Sequence, residues 1–259
     1  MLGSLLKTVW RRLTENAAVQ LPRDARSQRA SLQSDMRAAL AALLHEPLAH
    51  PKTVDYETVA HLMAATSSAD YMITHMMGAQ NLVRRSSLLE FALAECAIEG
   101  LVLEFGVYRG TSLRAIAERA GREVHGFDSF EGLPQDWTYF QKRGRFSLQG
   151  EAPAIDMPGV RIHKGWFDQT LPQFLEDHSG PARFIHVDCD IYHSARTVLQ
   201  LLNSRIVSGS VILFDEYLNY PAWQQHEFRA FQEFVAQSGK GYRYIGFASS
   251  ECAVAVKML

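Results

Sequence analysis

Cysteine is scarce in this chain of 259 residues, and its scarcity argues against two kinds of stabilisation. The three cysteines, Cys96, Cys189 and Cys252, lie far apart, and none belongs to a Cys-x-x-Cys pair. Structural zinc sites and disulfide frameworks need closely spaced or more numerous cysteines. The pattern argues against both and fits a reducing cytoplasm. Cys189 lies among the candidate functional residues, but we interpret it as a small buried side chain.

The chain also lacks an excess of positive charge and a long apolar run. Its formal net charge is −2, so no basic surface for nucleic acid is expected. No apolar segment approaches the roughly 20 residues that span a bilayer. The basic, mildly amphipathic residues 1–13 lack the apolar core of a signal peptide, and we interpret them as a short packing helix. Contact of this segment with a membrane surface or a partner subunit is the alternative. We expect a cytoplasmic protein that binds a small molecule.

The first 99 residues carry the pattern of helices. Apolar residues recur at helical spacing in 25–44, 55–63 and 68–97, and Pro47 and Pro51 interrupt the first of these segments. We therefore divide the chain into a helical extension, residues 1–99, and a second domain, residues 100–259. Such an extension commonly covers one mouth of a nucleotide-binding sheet, and association of two copies through these helices is an open alternative.

From residue 101 the pattern alternates between strands and helices. Strands are predicted at 101–105, 123–128, 160–165, 183–188, 210–215, 242–247 and 252–257. Helices are predicted at 113–120, 171–177, 194–202 (capped by Ser194) and 223–235. This alternation indicates a mainly parallel sheet with helices on both faces. Asp128, Asp188 and Asp215 end three of the strands, so they should meet at the edge of the sheet where such folds bind ligands.

A glycine turn follows the first of these strands. Glu104 precedes Gly106 by two residues, and Gly110 follows four residues later. Glycines let a ligand approach the backbone, and the next helix presents free N–H groups to it. The turn lacks the Gly-x-Gly-x-x-Gly of dehydrogenases, and a carboxylate there would repel a pyrophosphate but tolerate a cationic or zwitterionic ligand. Alternatively, Glu104 caps the loop. Asp128, about 20 residues further on, has the spacing of a ribose-binding acid.

Five ordered blocks, 104–110, 128–134, 165–172, 187–194 and 214–217, together resemble one family. They are similar to the class I S-adenosylmethionine (SAM) methyltransferases, and within them to the macrocin O-methyltransferases, which methylate sugars of macrolides and aminocoumarins. The resemblance covers roughly residues 100–258. It implies a doubly wound, seven-stranded Rossmann-like α/β fold with an N-terminal helical extension, and SAM- and magnesium-dependent methylation of a sugar hydroxyl. A catechol-type phenolic O-methyltransferase and a SAM-binding regulatory protein without transfer activity remain the alternatives.

The resemblance also implies the site residues. Glu104 would face the methionine end of SAM, Asp128 the ribose, and Trp166 either the adenine or the core. Glu216 departs from the aspartate of the family pattern, and it would either bind metal or cap the next segment. The cofactor set is Glu104, Gly106, Tyr108, Gly110, Thr111, Ser112, Asp128, Ser129, Gly165, Trp166 and Asp188, and the metal set is Asp188, Asp215 and Glu216.

Catalysis needs a general base for the acceptor hydroxyl. The resemblance implies Asp190, and His193 is the rival because histidine titrates near neutral pH. Three further histidines, His125, His163 and His186, lie inside predicted strands and are interpreted as structural. Residues 135–158 show no period, which is typical of a functional lid. The last aromatic group, Tyr217, Tyr220 and Trp223, would form a sugar platform or pack the final helix.

Overall fold

The computed structural model describes residues 56–139 and 141–259. The predictions for residues 1–13 and 25–44, and for Pro47 and Pro51, lie outside these ranges. The helices are α1 (Tyr56–His75), α2 (Arg85–Ala94), α3 (Thr111–Ala120), α4 (Phe167–Asp177), α5 (Tyr192–Leu201) and α6 (Glu227–Ser238). The strands are β1 (Gln80–Asn81), β2 (Leu101–Phe105), β3 (Val124–Asp128), β4 (Val160–Lys164), β5 (Ala182–Val187), β6 (Val211–Phe214), β7 (Tyr242–Phe247) and β8 (Val254–Met258).

The strands form one sheet in the order β1-β7-β8-β6-β5-β2-β3-β4. Only β8 runs antiparallel to its neighbours, β6 and β7, and the other described pairings are parallel. The predicted doubly wound α/β fold is confirmed, but the sheet has eight strands rather than seven. The additional strand, β1, contains two exposed polar residues and lies at the edge beside β7, so it carries no apolar signal by which the sequence could predict it.

Successive side chains of a strand point to opposite faces of the sheet, and in the central strands the side chains on both faces are mainly apolar. Helices therefore cover both faces. In β2, Val102 packs in a core cluster with Leu113 and Ile116 of α3, whereas Leu103 belongs to the opposite cluster, which includes Val198 of α5. The central strands are therefore buried on both faces. Their carboxyl ends remain the edge at which polar residues can gather.

Three local predictions differ from the structure. The helix predicted at 55–63 extends to His75, and β1 separates the two helical pieces that the pattern of 68–97 allows. Ser194 does not cap α5, which already begins at Tyr192. The long last helix is preceded by a separate 3-10 turn, Trp223–Gln225, because His226 between them has non-helical backbone dihedrals (φ −115°, ψ −120°). Within the described ranges, no helix combines the length and apolarity that crossing a membrane requires.

A cluster of histidines stabilises the β3–β4 edge. The imidazole of His125 is 3% exposed, and its Nδ1 lies 3.2 Å from Nε2 of His163. The ring of His178, which follows α4, lies 5.0 Å from that of His125. Burial, followed by the neighbouring charge of His163, lowers the pKa of His125 to about 4, and burial also lowers the pKa of His163. The edge therefore folds around neutral imidazoles.

This cluster makes stability depend on pH. Unfolded histidine titrates near pH 6.5, so the contribution of neutral His125 is complete above that pH and is lost as the pH falls from 6.5 towards 4. We expect the unfolding free energy of the native chain, relative to His125→Gln, to fall by about 2 kcal/mol between pH 7 and pH 5. Urea denaturation at both pH values measures this difference. The exposed His61→Gln is the matched control, and equal pH slopes for the native chain and His125→Gln would contradict the assignment.

Candidate active site

A cavity of about 560 Å³ opens at the carboxyl ends of β2, β3, β5 and β6. Its size is that of a site for a small molecule. It lies where the sequence placed the ligand, because the carboxyl ends of parallel strands share one edge. Eleven of the predicted site residues line it: Gly106, Tyr108, Thr111, Ser112, Asp128, Ser129, Trp166, Asp188, Asp190, Asp215 and Glu216.

A steric constraint explains why the turn after β2 has a glycine at position 106. This residue has φ 95°, and an added Cβ would overlap the backbone carbonyl of Asp188. Only glycine therefore lets the end of β2 approach the end of β5 so closely. Immediately after the turn, Thr111 and Ser112 begin α3 and line the cavity. Free N–H groups at the start of a helix favour a negatively charged or polar ligand group.

Asp128 holds the same turn in place. Its Oδ2 accepts hydrogen bonds from the backbone N–H groups of Val107 (2.9 Å) and Tyr108 (2.8 Å), and its Oδ1 accepts one from Phe130 (2.8 Å). Tyr108 has φ 47°, a conformation that a tyrosine adopts only under restraint. A carboxylate has about four acceptor positions, so three backbone bonds leave capacity for a ligand hydroxyl. The sequence analysis did not predict that Asp128 stabilises the glycine turn through these hydrogen bonds.

The segment between β3 and β4 covers part of the cavity. It folds back on itself, since the N–H of Leu133 donates to the carbonyl of Arg145 and the N–H of Gly144 donates to the carbonyl of Leu133, both at 2.9 Å. Trp137 and Phe146 from this segment line the cavity, and Phe146 lies 5.6 Å from the ring of Tyr108. Sequence reasoning predicted a lid here without naming these aromatic residues, because the segment has no period that shows which side chains point inwards.

Four predicted residues lie outside the cavity lining. Gly110 (φ 75°) caps α3, and Gly165 donates its N–H to the backbone carbonyl of Asp128 at 2.9 Å. His193 is exposed in the first turn of α5. Glu104 is completely buried, and its Oε1 lies 2.8 Å from Nδ1 of His186. The structure therefore separates Glu104 and His193 from the cavity space that would hold a ligand.

His186 and Arg85 are cavity residues that the sequence analysis did not assign to the site. His186, interpreted as structural, lies between Glu104 and Asp215, with its Nε2 3.7 Å from Oδ1 of Asp215. Arg85, at the start of α2, forms an ion pair with Asp215 through its Nη1. Glu104, His186, Asp215 and Arg85 thus alternate in charge across β2, β5, the end of β6 and the start of α2. Register between β2 and β5 places Glu104 opposite His186, a pairing that only the assembled sheet creates.

Within this set of four alternating charged residues, each residue shifts the pKa of its neighbours. Burial disfavours the imidazolium of His186, but hydrogen bonding and charge from Asp215 and Glu104 outweigh it and raise its pKa well above the ordinary value. Burial raises the pKa of Asp215, but His186 and Arg85 outweigh that and lower it. Both shifts favour the charged forms. Asp215 is therefore a carboxylate whose charge the protein itself compensates.

Three further cavity acids are less well compensated, although His186 partly offsets the charge of Asp188. Asp188, Asp190 and Glu216 each offer an oxygen, and these atoms lie within 4.8 Å of one another. Burial, and then the charge of Asp215, raises the pKa of Asp188 and Glu216 well above their ordinary values and that of Asp190 to about 7. Oε2 of Glu216 is buried without a hydrogen-bond partner among the described residues. Such a set of hard oxygen donors fits a divalent cation such as Mg²⁺.

The geometry changes the predicted metal set. Among the described residues, the two groups of potential ligand atoms within 4.8 Å are His186–Asp188–Asp215 and Asp188–Asp190–Glu216. The predicted combination of Asp188, Asp215 and Glu216 does not form such a group, because Asp215 faces Arg85 and His186. Asp190 takes the third position beside Asp188 and Glu216. It does so with φ 63°, so the chain after β5 is not extended as strand alternation would require.

The aromatic residues after β6 do not line the cavity. Tyr217, Tyr220 and Trp223 are all buried in the core. The hydroxyl groups of Tyr217 and Tyr244 are 2.9 Å apart, and Nε1 of Trp223 donates to Oγ of Ser67 in α1 at 3.0 Å. The packing interpretation was therefore correct, and the sugar-platform alternative was wrong.

Comparison with known proteins agrees with this architecture. Residues 103–217 match the family described as a methyltransferase domain. The chain is 28% identical over 197 residues to the 8-demethyl-8-(2,3-dimethoxy-alpha-L-rhamnosyl)-tetracenomycin-C 4'-O-methyltransferase of Streptomyces olivaceus, covering 66% of this chain and 69% of that protein. Two crystal structures share the fold. They are the calicheamicin methyltransferase CalS11 (TM-score 0.55, 20% identity, 81% of this chain and 95% of that one) and the O-methyltransferase NovP (0.53, 18%, 78% and 98%).

These findings confirm the resemblance that the five sequence blocks carry. The fold is that of the class I SAM methyltransferases, and the methyltransferase domain together with the O-methyltransferase relative confirms the predicted SAM-dependent O-methyltransferase. The alternative of a SAM-binding protein without transfer activity is correspondingly disfavoured. The roles of individual residues rest on the geometry described above.

Asp128 provides a test of the cofactor end of the cavity. We expect Asp128→Ala to weaken SAM binding by about 1.5–3 kcal/mol, because the variant loses acceptors for the ribose hydroxyls and for the turn. Titration calorimetry measures this as roughly a ten- to hundredfold higher Kd. Asp156→Ala, which removes an exposed carboxylate from the segment between β3 and β4, should bind SAM normally. Unchanged affinity in folded Asp128→Ala would show that Asp128 does not contact the cofactor.

Proposed function

We propose that this SAM-dependent O-methyltransferase methylates a sugar hydroxyl of a natural product with the help of Mg²⁺. The observation that carries the proposal is the group of three less well compensated acids, Asp188, Asp190 and Glu216, at the ligand-binding edge of the sheet. The relative from Streptomyces olivaceus, named for methylating a rhamnosyl group, supports a glycoside as the acceptor. The acids supply what hydroxyl methylation requires, a cation site and a proton acceptor.

SAM would occupy the part of the cavity formed by the glycine turn. Asp128 would accept the ribose hydroxyls, Trp166 would lie against the adenine, and the N-terminal residues of α3, Thr111 and Ser112, would face the methionine end. We propose a revised role for Glu104. Because it is buried behind His186, it would act on the cofactor end through that imidazole rather than by contact with the methionine amino group.

Asp188 and Glu216 are the proposed metal ligands common to the sequence pattern and the geometry. Asp215 could join them only if its ion pair with Arg85 opened. A bound Mg²⁺ would orient the acceptor hydroxyl and lower its pKa. Binding the cation would also offset the burial and the neighbouring negative charge that raise the pKa of Asp188 and Glu216.

Asp190 is the proposed general base. Its carboxylate lines the cavity beside the proposed metal ligands Asp188 and Glu216, where the cation would orient the acceptor hydroxyl. As the hydroxyl oxygen bonds to the methyl carbon, the bond from that carbon to the sulfonium breaks, S-adenosylhomocysteine leaves, and the hydroxyl proton passes to Asp190. Alignment of the hydroxyl with the methyl group can contribute about 7–11 kcal/mol in favourable cases.

The function is tested by following methyl transfer from labelled SAM to a panel of acceptors. We expect transfer to a rhamnoside-bearing natural product, loss of transfer with a chelator, and recovery when Mg²⁺ is added. The physical reason is that the acid group at the cavity carries unbalanced charge until it holds a cation. Transfer to catechol but not to any glycoside would overturn the sugar assignment. Full activity in the chelator, with metal shown to be absent, would overturn the Mg²⁺ assignment.

The base assignment predicts a specific loss of turnover. Asp190→Asn keeps the shape of the side chain but removes its basicity, so turnover should fall about 10²–10⁴-fold while the Kd for SAM changes little. Steady-state kinetics and calorimetry on the same preparation separate the two effects. His193→Ala is the matched comparison, since that side chain is exposed outside the cavity, and it should keep normal turnover. The reverse pattern would assign the base to His193.

A further inference from the structure

We propose that Glu227 is a positioning residue. It holds the loop after β5 and the loop after β6, which carry the acids of the active site, in a fixed position relative to each other. The inference rests on the proposed function, in which these loops supply the base and the metal ligands. Glu227 is the first residue of α6 and is completely buried, although it belongs to none of the sequence blocks that carry the family resemblance. A carboxylate in the first turn of a helix is usually solvent-exposed, so its burial here requires partners.

The partners of Glu227 are backbone groups on both loops. Its Oε1 accepts hydrogen bonds from the N–H groups of Cys189 (3.2 Å) and Asp190 (3.1 Å), which follow β5. Its Oε2 accepts one from the N–H of Glu216 (3.2 Å), which follows β6. A single carboxylate therefore bridges the ends of two adjacent strands, and it does so directly beneath the side chains that form the acid group.

The sheet cannot perform this task itself. Its hydrogen bonding ends where the N–H of Asp188 donates to Phe105 and the N–H of Asp215 donates to Val187, both at 2.9 Å. Beyond those bonds the chain leaves the strand geometry, and Asp190 adopts φ 63°. A non-glycine residue in this conformation persists only where its surroundings restrain it. Glu227 supplies that restraint to the proposed base.

The bridge also determines how far apart the acids lie. Asp188, Asp190 and Glu216 place oxygens within 4.8 Å of one another, and charged carboxylates this close would move apart without a tie between the loops. Because both oxygens of Glu227 are used, glutamine cannot replace it fully. The carbonyl oxygen of glutamine can accept from one loop, but its amide NH₂ would face an N–H donor on the other.

The test compares Glu227→Gln and Glu227→Ala with Glu233→Gln. Glu233 lies further along α6, and its carboxylate contacts Tyr192 and Arg229 instead of the acid loops. We expect turnover to fall about 10–100-fold in Glu227→Ala, with a smaller loss in Glu227→Gln and none in Glu233→Gln. The Kd for SAM should stay within twofold, and the affinity for Mn²⁺, measured by electron paramagnetic resonance, should fall with turnover.

Amide hydrogen exchange tests the contact without any acceptor. The N–H groups of Asp190 and Glu216 should exchange at least tenfold faster in Glu227→Ala, whereas those of Asp188 and Asp215, bonded within the sheet, should keep their native protection. Unchanged exchange at Asp190 and Glu216 would overturn the proposal. Faster exchange at all four positions together with weaker SAM binding would also overturn it, because Glu227 would then stabilise the whole domain rather than position the loops.

The two proposals fail in different ways. If the native chain methylates no glycoside, the proposed function is wrong, while the exchange rates still report whether Glu227 holds the loops. If the native chain methylates a glycoside and Glu227→Ala keeps full turnover and full Mn²⁺ affinity, the positioning role is wrong and the proposed function stands.

Discussion

The active site depends on the burial of negative charge at the carboxyl ends of β2, β5 and β6. Glu104, Asp188, Asp190, Asp215 and Glu216 all lie there, and removing carboxylates from water is costly unless each is paired or protonated. The protein compensates part of this charge itself. His186 lies between Glu104 and Asp215, and Arg85 pairs with Asp215 from the far side. Asp188, Asp190 and Glu216 also line the cavity and are less well compensated, and the proposed chemistry depends on this residual charge.

This division of charge explains why helices from the first part of the chain matter to the site. Arg85 begins α2, and α1 is joined to the core through Trp223 and Ser67. β1, which lies between α1 and α2 in the chain, also joins this part of the chain to the sheet, because it pairs with β7. Arg85, which lies outside the five sequence blocks that carry the resemblance, thus compensates Asp215, which lies in the last of them. Any change that displaces α2 would leave Asp215 with compensation from His186 but not from Arg85.

Backbone strain also occurs at this edge of the sheet. Tyr108 and Asp190 both have left-handed conformations and both line the cavity. Each is restrained by a carboxylate that accepts backbone N–H bonds, Asp128 for the glycine turn and Glu227 for the loop after β5. The cavity is therefore bounded by two loops whose conformations are unfavourable in isolation. Such loops stay preorganised because acids outside the reacting group hold them.

The sequence by itself determined the alternation of strands and helices after residue 100, the mainly parallel sheet and the edge at which the cavity lies, because periodicity and strand-ending acids are local properties of the chain. It also identified the resemblance, and with it most of the cavity lining. Tertiary structure alone decided that Glu104 pairs with His186, that Arg85 reaches Asp215, that His193 is exposed and that Glu227 bridges two loops. Each of these depends on strand register or on contacts between residues about 10 to 130 positions apart. Local pattern cannot encode such contacts, since the same residues at the same spacing would be compatible with several packings.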